Sequence, residues 1–138
     1  MWRVFVFLVV GVNALINSQW NVLLLGGNGF RGLPTTKRML ALGHNVTCIN
    51  RGREYWDSDS VMKKVNHIKC NRSTFSESDD QPKLADCANL QRESLRKGKL
   101  RYDVVVDFSS QNVDMIKDAV EFCRDTCDHF IWISPQSV

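Results

Sequence analysis

Apolar residues fall in short runs along this chain, and the stretches between several runs repeat apolar positions every three or four residues. Val22–Leu25 is a buried-strand candidate. Residues 31–42 read as a helix through Leu33, Met39, Leu40 and Leu42. Pro34 is tolerated only in the first turn of that helix, and Gly43 ends it. Asn45–Ile49 is a second strand, and Val65–Cys70 a third, weaker one. Residues 53–64 are polar and give no clear period, and the serine- and acid-rich residues 71–82 read as a loop. Residues 83–97 predict a helix closed by Gly98. "YDVVVDF", from Tyr102 to Phe108, is a strong fourth strand, residues 112–126 an amphipathic helix, and "HFIWIS", from His129 to Ser134, a fifth strand. Strands alternating with helices imply a parallel sheet covered on both faces. The expected spatial order is third, second, first, fourth, fifth, as right-handed crossovers require.

The first eighteen residues, "MWRVFVFLVVGVNALINS", break this rhythm. One early charge, Arg3, precedes an apolar segment from Val4 to Ile16, and Asn17 and Ser18 follow. That is the order of a secretory signal peptide, with cleavage expected after Ser18. The apolar part is about 13 residues, short of the roughly 20 that span a bilayer as a helix, so no stable membrane span is expected. A short anchor or an extra strand are the alternatives. Residues 19–138 then form the domain, with a secreted or ER-lumenal location. This route gives meaning to the triplets Asn45-Val46-Thr47 and Asn71-Arg72-Ser73 as glycan acceptors.

The net charge of +3 and the absence of long like-charge runs give no footprint for nucleic acid. Five cysteines cannot all pair within one chain. Cys123 and Cys127 continue a three-and-four step from Val113, Ile116 and Val120, the period of a buried helix face. Cys48 and Cys70 lie in or at the ends of strands, where a free cysteine packs as a small apolar residue. The histidines are far apart in sequence, and no zinc-ligand spacing is present.

"NVLLLGGNGFRG" is the most informative stretch. Gly26, Gly29 and Gly32 have the spacing G-x-x-G-x-x-G between the first strand and the first helix. That is where a Rossmann fold holds a dinucleotide: a tight turn needs positive φ, and a pyrophosphate approaches bare backbone at a helix amino end. Gly32 would let the helix lie close to the strand, and a valine at Gly29 would oppose positive φ and take the pyrophosphate's place. A glycine-rich turn without a ligand is the alternative. At the end of the second strand an acid commonly binds a ribose hydroxyl and an Arg a 2′-phosphate. Here Asn50 and Arg51 stand there with Arg53 close by, which leans towards NADP over NAD. A solvated basic loop is the other reading.

"VLLLGGNGFRG", "LALGHNVTCINRGR", "YDVVVDFSS" and "HFIWISPQSV" together resemble the N-terminal half of an extended short-chain dehydrogenase/reductase. The nearest likeness is to the NAD-dependent epimerase/dehydratase family, in its members with a G-G-x-G-F-x-G loop. The resemblance runs from about Asn21 to Val138. It implies a Rossmann-like α/β domain with a doubly wound parallel sheet of about five strands, truncated before the C-terminal substrate lobe. It also implies that Gly26, Gly27, Asn28, Gly29, Phe30 and Gly32 line the pyrophosphate, and that Phe108 and Ser109 sit beside the ribose. Asn71 takes the place of an acidic residue near the adenine. The family's catalytic pair is Tyr-x-x-x-Lys, whose Lys lowers the phenol pKa so that the phenolate acts as a base. Tyr55 is followed four residues later by Asp59, and Tyr102 by Val106, so neither tyrosine forms that pair. Ser134 and Ser137 lie near the family's catalytic serine, with Pro135 where a serine is common.

The expectation is an NAD(P)-binding domain that does not turn over alone, from an enzyme acting on a sugar nucleotide or carbonyl compound. A non-catalytic secreted binding or regulatory protein on the same scaffold is the alternative, and a degenerate fold that binds nothing is the third reading.

Overall fold

A computed structural model of the chain describes residues 18–72 and 83–134. The expected leader, apart from Ser18, lies outside these residues, as do most of the 71–82 loop, Pro135 and Ser137. The strands are β1 (Asn21–Leu25), β2 (Asn45–Asn50), β3 (Asn66–Lys69), β4 (Tyr102–Asp107) and β5 (Cys127–Trp132). The helices are α1 (Gly32–Ala41), the short α2 (Ser58–Met62), α3 (Ala88–Lys97) and α4 (Val113–Arg124). All strand pairs are parallel. The sheet order is β3-β2-β1-β4-β5, the expected one. The architecture is a Rossmann-like, doubly wound α/β fold.

Two apolar layers hold it together, and strand alternation divides them. Successive side chains of a strand point to opposite faces. Leu23 and Leu25 of β1 enter one core with Ile49, Val105, Leu90 and Ala119. Val22 and Leu24 enter the other with Leu33, Cys48, Val61 and Val106. Both faces of β1 are therefore buried, which is why its sequence reads as an unbroken apolar run. β5 is an edge strand, and Ile131 and Trp132 remain exposed there.

Four local expectations are corrected. The predicted helix over 83–97 divides into a 3₁₀ turn, Leu84–Asp86, and α3, because Cys87 between them has extended backbone (φ −69°, ψ 109°). Cys70 is not free: it forms a disulfide with Cys87, their Cα atoms 5.9 Å apart. The inward face of α4 is Met115, Ala119 and Cys123, whereas Val113 and Val120 point outward. The apolar period was shared by two overlapping stripes, and packing on the sheet selects the one containing Ala119. The fifth strand begins at Cys127, two positions before the predicted start.

Candidate functional site

The strand order reverses beside β1: the chain moves outward through β2 and β3, then crosses to β4 on the other side. Ligands of open α/β sheets bind outside the carboxyl ends of the strands at such a point. Here the ends are stitched together. Gly26 N–H donates to Ile49 O (2.8 Å), and Phe108 N–H donates to Leu25 O (2.9 Å). Above them opens a cleft of about 410 Å³.

Of the residues predicted from sequence, Gly26, Asn28, Gly29, Phe30, Asn50, Arg51, Phe108 and Ser109 line this cleft. Gly27, Gly32 and Asn71 do not. The three glycines of the G-x-x-G-x-x-G spacing do different work. Gly26 carries the positive φ (+80°), so the tight turn rests on it and not on Gly29. Gly29 has bare backbone beside the cleft: an added Cβ would meet only Gly26 O, at 3.6 Å. Gly32 is a packing residue, since an added Cβ would overlap the Gly26 carbonyl oxygen and lie 2.8 Å from Gly27 Cα. Gly27 is turned inward, where a Cβ would stand 2.7 Å from Cys48 Sγ and 2.9 Å from Thr36 Oγ1. Beneath it the Thr36 hydroxyl donates to Gly27 O at 2.7 Å. Burial pushes the Cys48 thiol up to about 12, so that sulfur is packing rather than a nucleophile. Asn71 lines a smaller hollow beside the disulfide.

Helix α1 presents its amino end to the glycine turn, without an acidic residue in its first turn and without a side-chain cap. Of its leading N–H groups, that of Leu33 donates to Gly29 O (2.8 Å) and Pro34 has none; the helix still turns its positive end towards the turn. Asn28 is buried, and its amide donates to Arg53 O (2.7 Å), tying the glycine turn to the loop after β2. Asn50 is also committed: its Oδ1 accepts from Gly52 N–H (2.9 Å) and from His67 Nε2 (2.8 Å). Burial lowers the His67 pKa, favouring the neutral ring. The side chain at the end of β2 thus braces the loop, and the exposed Arg51 and Arg53 flank the cleft beside it.

Sequence reasoning missed the residue that organises the floor. Arg72 is buried. Its guanidinium donates to Ser109 Oγ (2.8 Å), Ser110 Oγ (3.2 Å) and Met115 O (2.9 Å), and lies 3.5 Å from Asp107 and 3.9 Å from Asp118. Asp107, fully buried at the end of β4, accepts from the N–H groups of Ser109 (2.8 Å) and Ser110 (3.0 Å). These bonds fix the β4 loop as a wall of the cleft. Among the described residues the lining carries Arg51, Arg53 and Arg72 and no carboxylate. Tyr102 is buried in β4 with its phenol pKa raised by that burial, so it is not placed to act as a base. Tyr55 lies at the cleft mouth.

The fold resembles that of a solved epimerase. That protein is Mth375 from the thermophilic, pseudomurein-containing methanogen Methanothermobacter thermautotrophicus, with a TM-score of 0.51 and 14% identity. The match covers 84% of this chain and 35% of that one. The Bordetella bronchiseptica enzyme WbmG, solved in complex with NAD, gives a TM-score of 0.32 at 12% identity, over 65% of this chain and 37% of that one. The chain therefore spans little more than a third of either protein. No family model matches the sequence, and no curated protein does. The first likeness is one of fold; the second is too slight to argue from.

Proposed function

We propose that this domain binds a nicotinamide dinucleotide, NADP(H) in preference to NAD(H), as the cofactor half of an epimerase- or dehydratase-type oxidoreductase. The observation that carries this reading is Gly29, which has room on its Cβ side beside a cleft at the sheet's switch point, next to the amino end of α1. A pyrophosphate needs that close approach and that positive end. The residues present fit the group. Gly26, Gly29 and the start of α1 would hold the pyrophosphate, with Phe30 beside it. Ser109 and Phe108 would face a ribose, and Arg51 or Arg53 a 2′-phosphate. The loop after β2 offers no ribose-binding carboxylate before Glu54, which supports the NADP preference. When bound, the cofactor supplies hydride transfer; a sugar nucleotide or carbonyl compound is the substrate class of the whole enzyme. This sequence contributes binding and orientation, and it contains no Tyr-x-x-x-Lys.

Titration calorimetry with each dinucleotide tests the reading on the wild type and Gly29→Val. The variant has room for its side chain, so it should fold and lose binding. Equal binding by both proteins would dismiss the assignment. A nicotinamide absorbance assay with sugar-nucleotide and carbonyl substrates should show no turnover by this chain.

One observation favours a secretory route for the same domain. Disulfides persist in oxidising compartments and are rare in the cytosol, and Cys70–Cys87 is one. Together with the leader sequence it supports a secreted or ER-lumenal protein, and keeps open a binding or regulatory role without catalysis. Amino-terminal sequencing of product from secretory cells should begin near Gln19; product that still began at Met1 would sink the leader.

A further inference from the structure

Three aromatic rings stand at the mouth of the cleft. Phe30 is 80% exposed, Trp56 71% and Tyr55 36%. Trp56 lies 6.0 Å from Phe30 and 6.0 Å from Tyr55, ring centre to ring centre, and both contacts are tilted. A cluster of this size left in water is uncommon unless something covers it. Its backbone is unusual too. Trp56 has φ +52°, the sole non-glycine residue in the left-handed region among the described residues. A bulky side chain there is strained, and such strain persists where the surroundings over-determine it.

The surroundings do so. Asn28 holds the Arg53 carbonyl at 2.7 Å. Tyr55 N–H donates to Ser58 Oγ (2.8 Å), and Ser58 N–H returns a bond to Tyr55 O (2.9 Å). Lys37 of α1 pairs with Asp57. Trp56 is therefore pinned from both sides and pressed towards the ring on the glycine turn. The same loop supplies Arg51 and Arg53 to the cleft. In this fold the end of β2 serves the adenosine side of a dinucleotide.

We propose that Phe30, Tyr55 and Trp56 form a stacking wall for the purine base of a nucleotide whose 2′-phosphate faces Arg51 or Arg53. The inference rests on the reading of the cleft as a nucleotide site and adds to it the group that recognises the base. Every base has a π-face, and stacking on an aromatic side chain supports about tenfold or more in affinity. The wall reads the base and the arginines read charge.

Two probes separate these parts in the full chain. Adenosine 2′,5′-bisphosphate carries the purine and two phosphates, and inorganic pyrophosphate carries phosphates alone. Trp56→Gly removes the ring and relieves the left-handed backbone, so its thermal midpoint should equal or exceed that of the wild type. Its affinity for the bisphosphate should fall about tenfold or more, while pyrophosphate binding stays unchanged. Tyr55→Ala, at a position without backbone strain, should give the same selective loss. Unchanged bisphosphate binding in both variants, or equal loss of both probes, would overturn the wall and leave the cleft reading intact. A wild type that binds neither probe would overturn both. If Trp56→Gly instead alters sedimentation without altering binding, the rings are a contact between copies and the proposal falls.

Discussion

Replacing Asp107 by Asn strikes the buried centre on which the cleft wall rests. The carboxylate accepts from both N–H groups and both hydroxyls of Ser109 and Ser110, and faces the Arg72 guanidinium. The amide keeps the shape, loses the charge, and turns one acceptor into a donor. Among the described residues Arg72 then keeps only Asp118, 3.9 Å away, as a counter-charge. Breaking a buried ion pair from one side costs about 3–5 kcal/mol, against a total stability of about 5–15 kcal/mol for a domain. With a urea slope of roughly 2 kcal/mol per molar, the midpoint should fall by roughly 2 M. Arg72→Met is the informative partner. It leaves the carboxylate with its serine donors, and it removes a buried Nε that has no hydrogen-bond partner among the described residues. Its cost should be about 1–3 kcal/mol, from hydroxyls and a carbonyl left without the guanidinium. The double variant should cost less than the two singles together, because the uncompensated charge is gone. Urea unfolding followed by circular dichroism gives all three values. If Arg72→Met costs as much as Asp107→Asn, the network is not built around the carboxylate and the reasoning is refuted.

Other contacts have consequences of the same kind. Gly32→Ala should destabilise the fold by about 1–3 kcal/mol or more, since the new methyl meets backbone that cannot swing aside; urea midpoints check it. Cys87→Ser should lower stability by about 3 kcal/mol, the chain-entropy value for closing a loop with a sequence separation of 17, and intact-protein mass under non-reducing conditions should show the bond lost. Glu93 is held at about 2 by Arg96 first and then Lys97. Its folded pKa is depressed, so its contribution is present above the unfolded value of about 4.3 and disappears as pH falls towards 2. Arg96 is exposed and solvent screens it, so the contribution is small. Glu93→Gln should therefore narrow the gap between midpoints measured near pH 6 and near pH 3.

The fold was legible because its signals are local. β1 announces itself by four consecutive apolar residues, and the order of the sheet follows from chirality once the alternation is seen. The glycine turn was legible for the same reason: strand end, turn and helix start are adjacent in sequence. What a spacing cannot do is assign a separate duty to each glycine. Positive φ at Gly26, close packing at Gly27 and Gly32, and open backbone at Gly29 depend on neighbours such as Cys48 of β2 and Ser109 of the loop after β4.

The parts that stayed hidden are those made by pairs distant in sequence. Arg72 sits in the polar stretch 71–82, which reads as a loop. Its partners Asp107, Ser109 and Ser110 are 35 to 38 residues away, across two sheet neighbours. Asp107 reads as a polar strand end, and only the approach of the β3 and β4 ends turns both residues into one buried pair. The disulfide has the same origin. Cys70 closes a strand and passes for a small apolar residue, and Cys87 opens a helix; they stand 17 apart in sequence, and the fold brings them together. Trp56 is a different case, because its left-handed backbone is imposed from outside by Asn28, Ser58 and Lys37. Local preference argues against a tryptophan there, so its position carries information that propensity alone cannot supply. A residue kept against its own backbone preference at the rim of a cleft has its cause in what the ring faces, and that is why the base-binding test begins with it.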